Sequence, residues 1–228
     1  MDLSAQAFFS LENFQHAALF QGTVYVWEAL EALSDYLKKQ HLGKIEIALP
    51  PSVYLVNKEL ISIGKGCVVE PGAYIQGPCI IGNNCTVRHG AYIRGNVITG
   101  EACVIGHDSE VKHSILLNNA CVPHFNYVGD SIIGNGVNLG AGVKCANFRF
   151  DHKLVPVYVG DKKIITRLKK LGAIIGDGSQ LGCNCVTNPG ALIGKNVLCH
   201  PCLSIGGYVP SCGKVKPAEN SVIVESMR

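Results

Sequence analysis

From Ile63 onward an anchor residue, usually aliphatic, returns at every sixth position: Ile63, Val69, Ile75, Ile81, Val87, Ile93, Thr99, Ile105, Val111, Leu117 and Pro123. After a disturbance the period resumes at Ile133 and Leu139, and then runs through Ile175, Leu181, Thr187, Ile193, Cys199 and Ile205. Glycine often follows the anchor, as at Gly64, Gly82, Gly106, Gly140, Gly182 and Gly194. The fourth residue after it is small or β-branched, as at Cys67, Ala73, Cys79, Cys85, Ala91, Cys103, Cys121 and Cys185. A fixed short period outranks local propensity in deciding a fold. Three hexads make one eighteen-residue triangular coil, and coils stack at the ordinary strand spacing of about 4.8 Å. The sequence therefore predicts an all-β solenoid, a parallel β-helix. Its 26 glycines and a charged fraction of only 16% suit small side chains and many turns.

Most of the eleven cysteines fall in the small interior column, where a thiol acts as a compact hydrophobe. The rival reading is zinc bound by Cys183, Cys185, Cys199 and Cys202, whose paired layout resembles a metal site; two of the four sit on inward positions, and we predict no metal. The net charge of +3 is spread along the chain, with no stripe or tail for nucleic acid or a membrane surface. No stretch has the length and apolarity of a membrane span, and the first twenty residues lack a signal-peptide pattern, so a cytoplasmic protein is expected.

Residues 1–50 carry a different signal. Thr23 is placed to cap a helix with Val26, Leu30, Leu33 and Leu37 on one face, ending near Lys38 and Lys39 and stopped at Gly43. A shorter helix fits Ser10 to Phe20. These elements would lie over the exposed edge of the first coil or serve as an oligomer contact. The β-helix is assigned to 51–214 and a C-terminal tail to 215–228. Between about 147 and 171 the anchors vanish and basic residues gather, which predicts a projecting loop with a working surface able to take the phosphates of a nucleotide-containing cofactor, or else a solvated basic hairpin.

The disturbance near Pro123 is chemically suggestive, because five-residue steps from Pro123 to Val128 to Ile133 place His124 where the wall is interrupted. Histidine is the side chain whose free base is well populated near neutral pH. Arg94 and Lys112 both follow an anchor and lie eighteen residues apart, so they stack on one face. Stacked cations invite an anion between them, although Glu110 is close enough to offset part of their repulsion. His124 is thirty residues from Arg94, so one flat face cannot hold all three groups. Either a corner wraps the ligand or a neighbouring subunit completes the site, as a symmetric trimer would along its grooves.

The residues from Arg94 to Lys153 resemble the acetyltransferase domain of the bifunctional N-acetylglucosamine-1-phosphate uridyltransferase and glucosamine-1-phosphate acetyltransferase family, and its archaeal sugar-1-phosphate relatives. The run from His124 through Tyr127 to Asp130 is similar to that family's His-Leu-Thr-Tyr-Leu-Gly-Asp segment. Asn138 to Gly142 is similar to its Asn-Ile-Gly-Ala-Gly, followed at the family's interval by Asn147 and Lys153. The later run from Leu171 and the long loop after Asn147 look closer to the archaeal type. The resemblance implies a left-handed coil, contrary to the usual crossover preference. It also implies acetyl-coenzyme A as cosubstrate, an amino-sugar 1-phosphate as acceptor and a homotrimer with intersubunit sites. His124 would be the base, Asn147 would position the amine, and the Cys183 backbone amide would face the thioester oxygen. Arg94 and Lys112 would hold the 1-phosphate, Tyr127 and Lys153 would contact sugar or phosphate, and Ala141 with the coils from Cys183 would receive the pantetheine arm. No domain of uridyltransferase size precedes Ile63, so pyrophosphorylase activity is not expected of these residues. The alternatives are a non-catalytic scaffold and a γ-carbonic-anhydrase-like metalloenzyme using the column His89, His107 and His113.

Overall fold

The computed structural model describes residues 1–217, so the tail expected at 215–228 lies outside the described residues beyond Pro217. The chain forms three eight-stranded parallel sheets, and each coil adds one strand to each sheet. The result is a triangular prism, the architecture of a parallel β-helix. One side runs from Tyr54–Val56 to Ser204–Ile205 and is called the tyrosine face, because Tyr54, Tyr74 and Tyr92 lie in register along it. A second runs from Ile61–Ile63 to Tyr208–Val209 and is called the covered face. The third, from Val68–Val69 to Lys214–Val215, is called the open face. Coiling begins before residue 51, since Ile45 bridges to Ile63.

Within each strand the anchor points inward and its neighbours outward, as in Tyr92–Arg94, where only Ile93 is buried. The interior is one column of aliphatic anchors interleaved with small residues. Burial drives the Cys79 thiol up to about 12 and Cys145 up to about 11, so these sulfurs stay neutral. Cys185 and Cys199 belong to this interior, whereas Cys183 and Cys202 are exposed, so the four sulfurs proposed as a zinc site do not converge.

The irregular region differs in detail from the sequence expectation. Leu116 pairs with Thr99 and Val122 with Ile105, so these residues are the inward anchors. Leu117 instead packs outward against the N-terminal segment, and Pro123 is half-buried. Ala120 takes the interior position expected for Cys121, which is left half-exposed. Coils here have seventeen residues, with the shortened turns at His113 and Asp130, both in the left-handed region at φ 44° and 50°.

The N-terminal segment lies along the covered face rather than over the end of the first coil. That face presents Ile98, Ile115, Ile132, Ile174 and Leu192 outward, and these pack against Phe8, Phe9, Trp27, Leu30 and Leu33. Apolar outward side chains over several coils must be buried, and this requirement outweighs closing one strand edge. The main helix is Glu28–Lys38. Thr23 does not cap it: its hydroxyl donates to the Phe20 carbonyl, while the Glu28 carboxylate accepts the Val24 and Tyr25 N–H groups at 2.7 and 3.1 Å. Ser10 to Phe20 holds only the 3-10 turn Ala17–Phe20. Polar ties fix the docking, including Asn135 Nδ2 to the Ser10 carbonyl and the Ser10 N–H to Asp177 Oδ2. No helix of the described residues is long and apolar enough to cross a membrane.

The segment between Asn147 and Leu171 is an arm fastened to the same face. Pro156–Val159 and Lys162–Ile165 form an antiparallel hairpin. Val155 and Val157 are fully buried in the cluster that holds Leu192 and Leu171. The arm is thus laid down on its apolar side and exposes its basic and aromatic residues.

Candidate functional site

Two groups of candidate residues occupy two corners of the prism. At the turn from the tyrosine face to the covered face, Lys112 Nζ donates to Asp130 Oδ2 at 2.7 Å. The same carboxylate oxygen accepts a hydrogen bond from Asn147 Nδ2. Asn147 Nδ2 also lies 3.2 Å from Tyr127 Oη. Gly129 makes this crowding possible, since a Cβ there would sit 2.6 Å from the Tyr127 hydroxyl and 2.7 Å from Asn147 Nδ2. Burial raises the Tyr127 pKa and keeps the phenol protonated. One coil earlier, Arg94 donates to Glu110 Oε1 at 2.6 Å, which holds the guanidinium above its ordinary pKa.

These pairs correct the argument from uncompensated charge. Arg94 and Lys112 do stack, but each already has a carboxylate, Glu110 and Asp130 respectively. The spacing showed the stack and Glu110; it did not show Asp130, which reaches Lys112 from the next coil.

The second group lies at the turn from the open face to the tyrosine face. His124 is exposed there at the end of Cys121–His124. Its carbonyl accepts the Gly142 N–H at 2.9 Å, and the Ala141 carbonyl accepts the Asn184 N–H at 2.8 Å. His124, Ala141 and Cys183 therefore stack on three successive coils. The Cys183 N–H has no acceptor among the described residues. Gly140 keeps it uncovered, because a Cβ at Gly140 would lie 2.6 Å from that nitrogen.

Asn126, which lies inside the His124 to Asp130 run but is not singled out by the sequence, joins these pieces. It is 2% exposed; Oδ1 accepts the His124 N–H at 3.0 Å and Nδ2 donates to the Gly140 carbonyl at 2.8 Å. The available signal was its position: with Val122 as the true anchor, Asn126 falls in the small interior column, where an amide must have partners. Asp130 was likewise quoted without a role, though it organises Lys112 and Asn147.

The tyrosine face separates the two corners, so one chain does not bring His124 to Arg94 and Lys112. Lys153 is in the arm, lining a basic cavity of about 400 Å³ with Arg149, Lys163 and Lys169. Another cavity, about 750 Å³ and lined by Phe9, Phe20 and Lys195 among others, holds none of the candidate residues. His89 and His107 stack with ring centroids 5.7 Å apart, but His113 is at another corner, bonded to the Leu30 carbonyl. The three-histidine column is not formed, and no cluster of three or more potential metal ligands occurs among the described residues.

Comparison with known proteins finds sequence similarity over part of the chain. Residues 75–166 match the family described as the GMPPB C-terminal domain. That stretch contains every candidate side chain except Cys183. The chain is 46% identical over 80 residues to a bifunctional sugar-1-phosphate nucleotidylyltransferase/acetyltransferase of Sulfurisphaera tokodaii. It is 49% identical over 78 residues to the bifunctional protein GlmU of Methanococcus maripaludis. These matches cover 35% and 34% of this chain and 20% and 18% of the relatives, so the similarity spans about a fifth of their length. Among solved structures, a UDP-N-acetylglucosamine acyltransferase from Campylobacter jejuni aligns over 73% of this chain and 69% of its own. The identity is 17% and the TM-score 0.48. The resemblance of the repeat region to the sugar-1-phosphate nucleotidylyltransferase/acetyltransferase group, read first from its motifs, is present in these matches.

Proposed function

We propose that this protein transfers an acetyl group from acetyl-coenzyme A to the amine of an amino-sugar 1-phosphate, glucosamine 1-phosphate or its galactosamine counterpart. The observation that carries the reading is the corner where His124, the uncovered Cys183 N–H and the bare Gly140 backbone meet on successive coils. The amine nitrogen attacks the thioester carbonyl carbon, His124 accepts the proton lost by the amine, and the carbon–sulfur bond breaks to release the thiolate, which takes up that proton to leave as the thiol. The developing oxyanion receives the Cys183 N–H, a fixed donor that needs no reorganisation. Ala141 and the coils from Cys183 onward receive the pantetheine arm. Asn147, held by Asp130 and beside Tyr127, orients the acceptor.

Arg94 and Lys112 hold the 1-phosphate by exchanging part of their carboxylate contacts for phosphate oxygens. Arg94 is the easier to recruit, since its side chain is 42% exposed against 17% for Lys112. Lys153 contributes a further cation to sugar or phosphate. Because the corners are a face apart, a second copy completes each site, and a homotrimer supplies three such junctions. The reading assigns acetyl transfer alone to these residues and a cytoplasmic setting to the reaction.

The test is thiol release from acetyl-coenzyme A with a panel of amino-sugar phosphates. His124→Ala should lower turnover by roughly 10²–10⁴ while circular dichroism stays unchanged. Unaltered turnover would remove His124 from the role, and cofactor binding without turnover on any acceptor would favour a scaffold.

A further inference from the structure

The arm encloses two adjoining cavities with different linings. One, about 620 Å³, is bounded by Phe148, Phe150 and Tyr158 from the arm and by Val186, Asn188 and Pro189 from the coil below. The other, about 400 Å³, is bounded by Arg149, Lys153, Lys163 and Lys169, with no carboxylate in its lining. They share Arg149 and Pro156. None of the three lysines forms an ion pair among the described residues.

Phe148 packs edge-on against His152 within the arm, but the exposed rings and lysines are not what seats the arm on the covered face. The seating is done by Val155 and Val157, and by a close approach in which a Cβ at Gly190 would come within 2.6 Å of the Pro156 carbonyl oxygen. Phe148, Phe150 and Tyr158 remain 42%, 103% and 44% exposed on a segment that is otherwise fastened down. Exposed aromatic rings beside convergent unpaired cations suit a ligand with a flat heterocycle next to phosphates, through ring stacking and charge-assisted hydrogen bonds.

We propose that these cavities bind the nucleotide end of the acyl donor, with the adenine ring among Phe148, Phe150 and Tyr158 and the phosphates between Lys163 and Lys169. The proposal rests on the acetyl-transfer reading and adds the place where the donor is anchored. Continuity along the chain favours the donor over an unrelated nucleotide. Cys183, which faces the thioester, and Asn188, at the edge of the aromatic cavity, are five residues apart on one coil. Five extended residues span at most about 17 Å, a distance for a linear pantetheine arm to cross.

Two measurements on the full chain test this. Calorimetry with adenosine 3′,5′-bisphosphate, which carries no thioester, reads the nucleotide site directly. The second is the KM for acetyl-coenzyme A against that for acetyl-pantetheine. Lys163→Ala with Lys169→Ala removes two exposed cations without touching the core. The double variant should bind the bisphosphate at least roughly tenfold more weakly and raise the KM for acetyl-coenzyme A in proportion, leaving kcat and the acetyl-pantetheine KM unchanged. Tyr158→Ala should act in the same direction. No bisphosphate binding by the wild type, or equal binding by the double variant, overturns the proposal. Acetyl transfer with an unchanged KM overturns it while leaving the function intact; bisphosphate binding that depends on the lysines without any acetyl transfer supports the site and sinks the function.

Discussion

At the scale of single residues, the geometry of both corners is set by buried polar groups, Asn126 at one and Asp130 at the other. Asn126 satisfies the His124 N–H with its oxygen and the Gly140 carbonyl with its nitrogen, setting His124, the proposed base, against the strip of backbone that exposes the Cys183 N–H. Asn126→Ala leaves the His124 N–H without its bond and the Gly140 carbonyl with only the Val143 N–H at 3.2 Å, at a cost of about 1–3 kcal/mol for the stranded group. We expect a lower melting temperature and, because small displacements of a base are costly, a kcat reduced by roughly tenfold to a hundredfold. The KM for acetyl-coenzyme A should change much less. A variant that melts early yet turns over normally would reduce Asn126 to a packing residue. Asp130→Asn probes the other corner: it removes the charge that neutralises Lys112 and disturbs the acceptor of Asn147. Its expected signature is a raised KM for the sugar phosphate with the acetyl-coenzyme A KM preserved, read from initial rates over both substrates.

At the scale of elements, two histidines brace the N-terminal segment, buried His16 from within it and half-buried His113 from the prism. His16 shares a hydrogen bond of 2.9 Å with Tyr36 Oη, and burial lowers its pKa to about 4. His113 bonds to the Leu30 carbonyl, and burial lowers its pKa against the opposing pull of Asp130. Both are held neutral in the fold while the free side chains titrate near 6.5. The unfolded segment therefore binds more protons below that value, and the stability present above it is lost as pH falls toward 4. Protection factors of the Glu28–Lys38 amides, which remove the intrinsic pH dependence of exchange, should fall over that window, and His16→Phe should flatten the response; pH-independent protection would contradict it. The apolar face of this helix was legible from the spacing of Leu30, Leu33 and Leu37, but its partner was not. The signal lay in the hexads themselves: the middle residues Ile98, Ile115, Ile132, Ile174 and Leu192 are aliphatic outward positions on one side only. An anchor count that tracks inward residues passes over them. The arm was legible as an interruption with excess positive charge, whereas its fastening through Val155 and Val157 depends on contacts far along the chain.

At the scale of the whole molecule, the period was strong enough to predict the solenoid but not the register through its shortened coils. Counting by six from Val111 selects Leu117 and Pro123, whereas each seventeen-residue coil advances the frame by one and turns Leu116 and Val122 inward. A slip of one residue exchanges inside for outside, which is why Cys121 was assigned to the interior and Asn126 was given no role. The same inside-outside division makes the cysteines a reporter for the entire fold. Of the eleven, Cys183, Cys202 and Cys212 are exposed, Cys121 is half-buried, and the rest are enclosed in the column. Burial also drives Cys199 up to about 11, and contact with the Cys103 thiol, together with burial, drives Cys85 up to about 11, so inaccessibility and low thiolate content act together. A native thiol titration with a bulky aromatic disulfide should therefore show three fast equivalents, a slower fourth from Cys121, and seven that react only on unfolding. Cys121→Ser should abolish the fourth phase and no other. Were Cys67 or Cys103 to react with the fast class, the stacking of coils between Ile61 and Leu117 would have a different register from the one described, and the placement of Arg94 and Lys112 on one corner would fall with it.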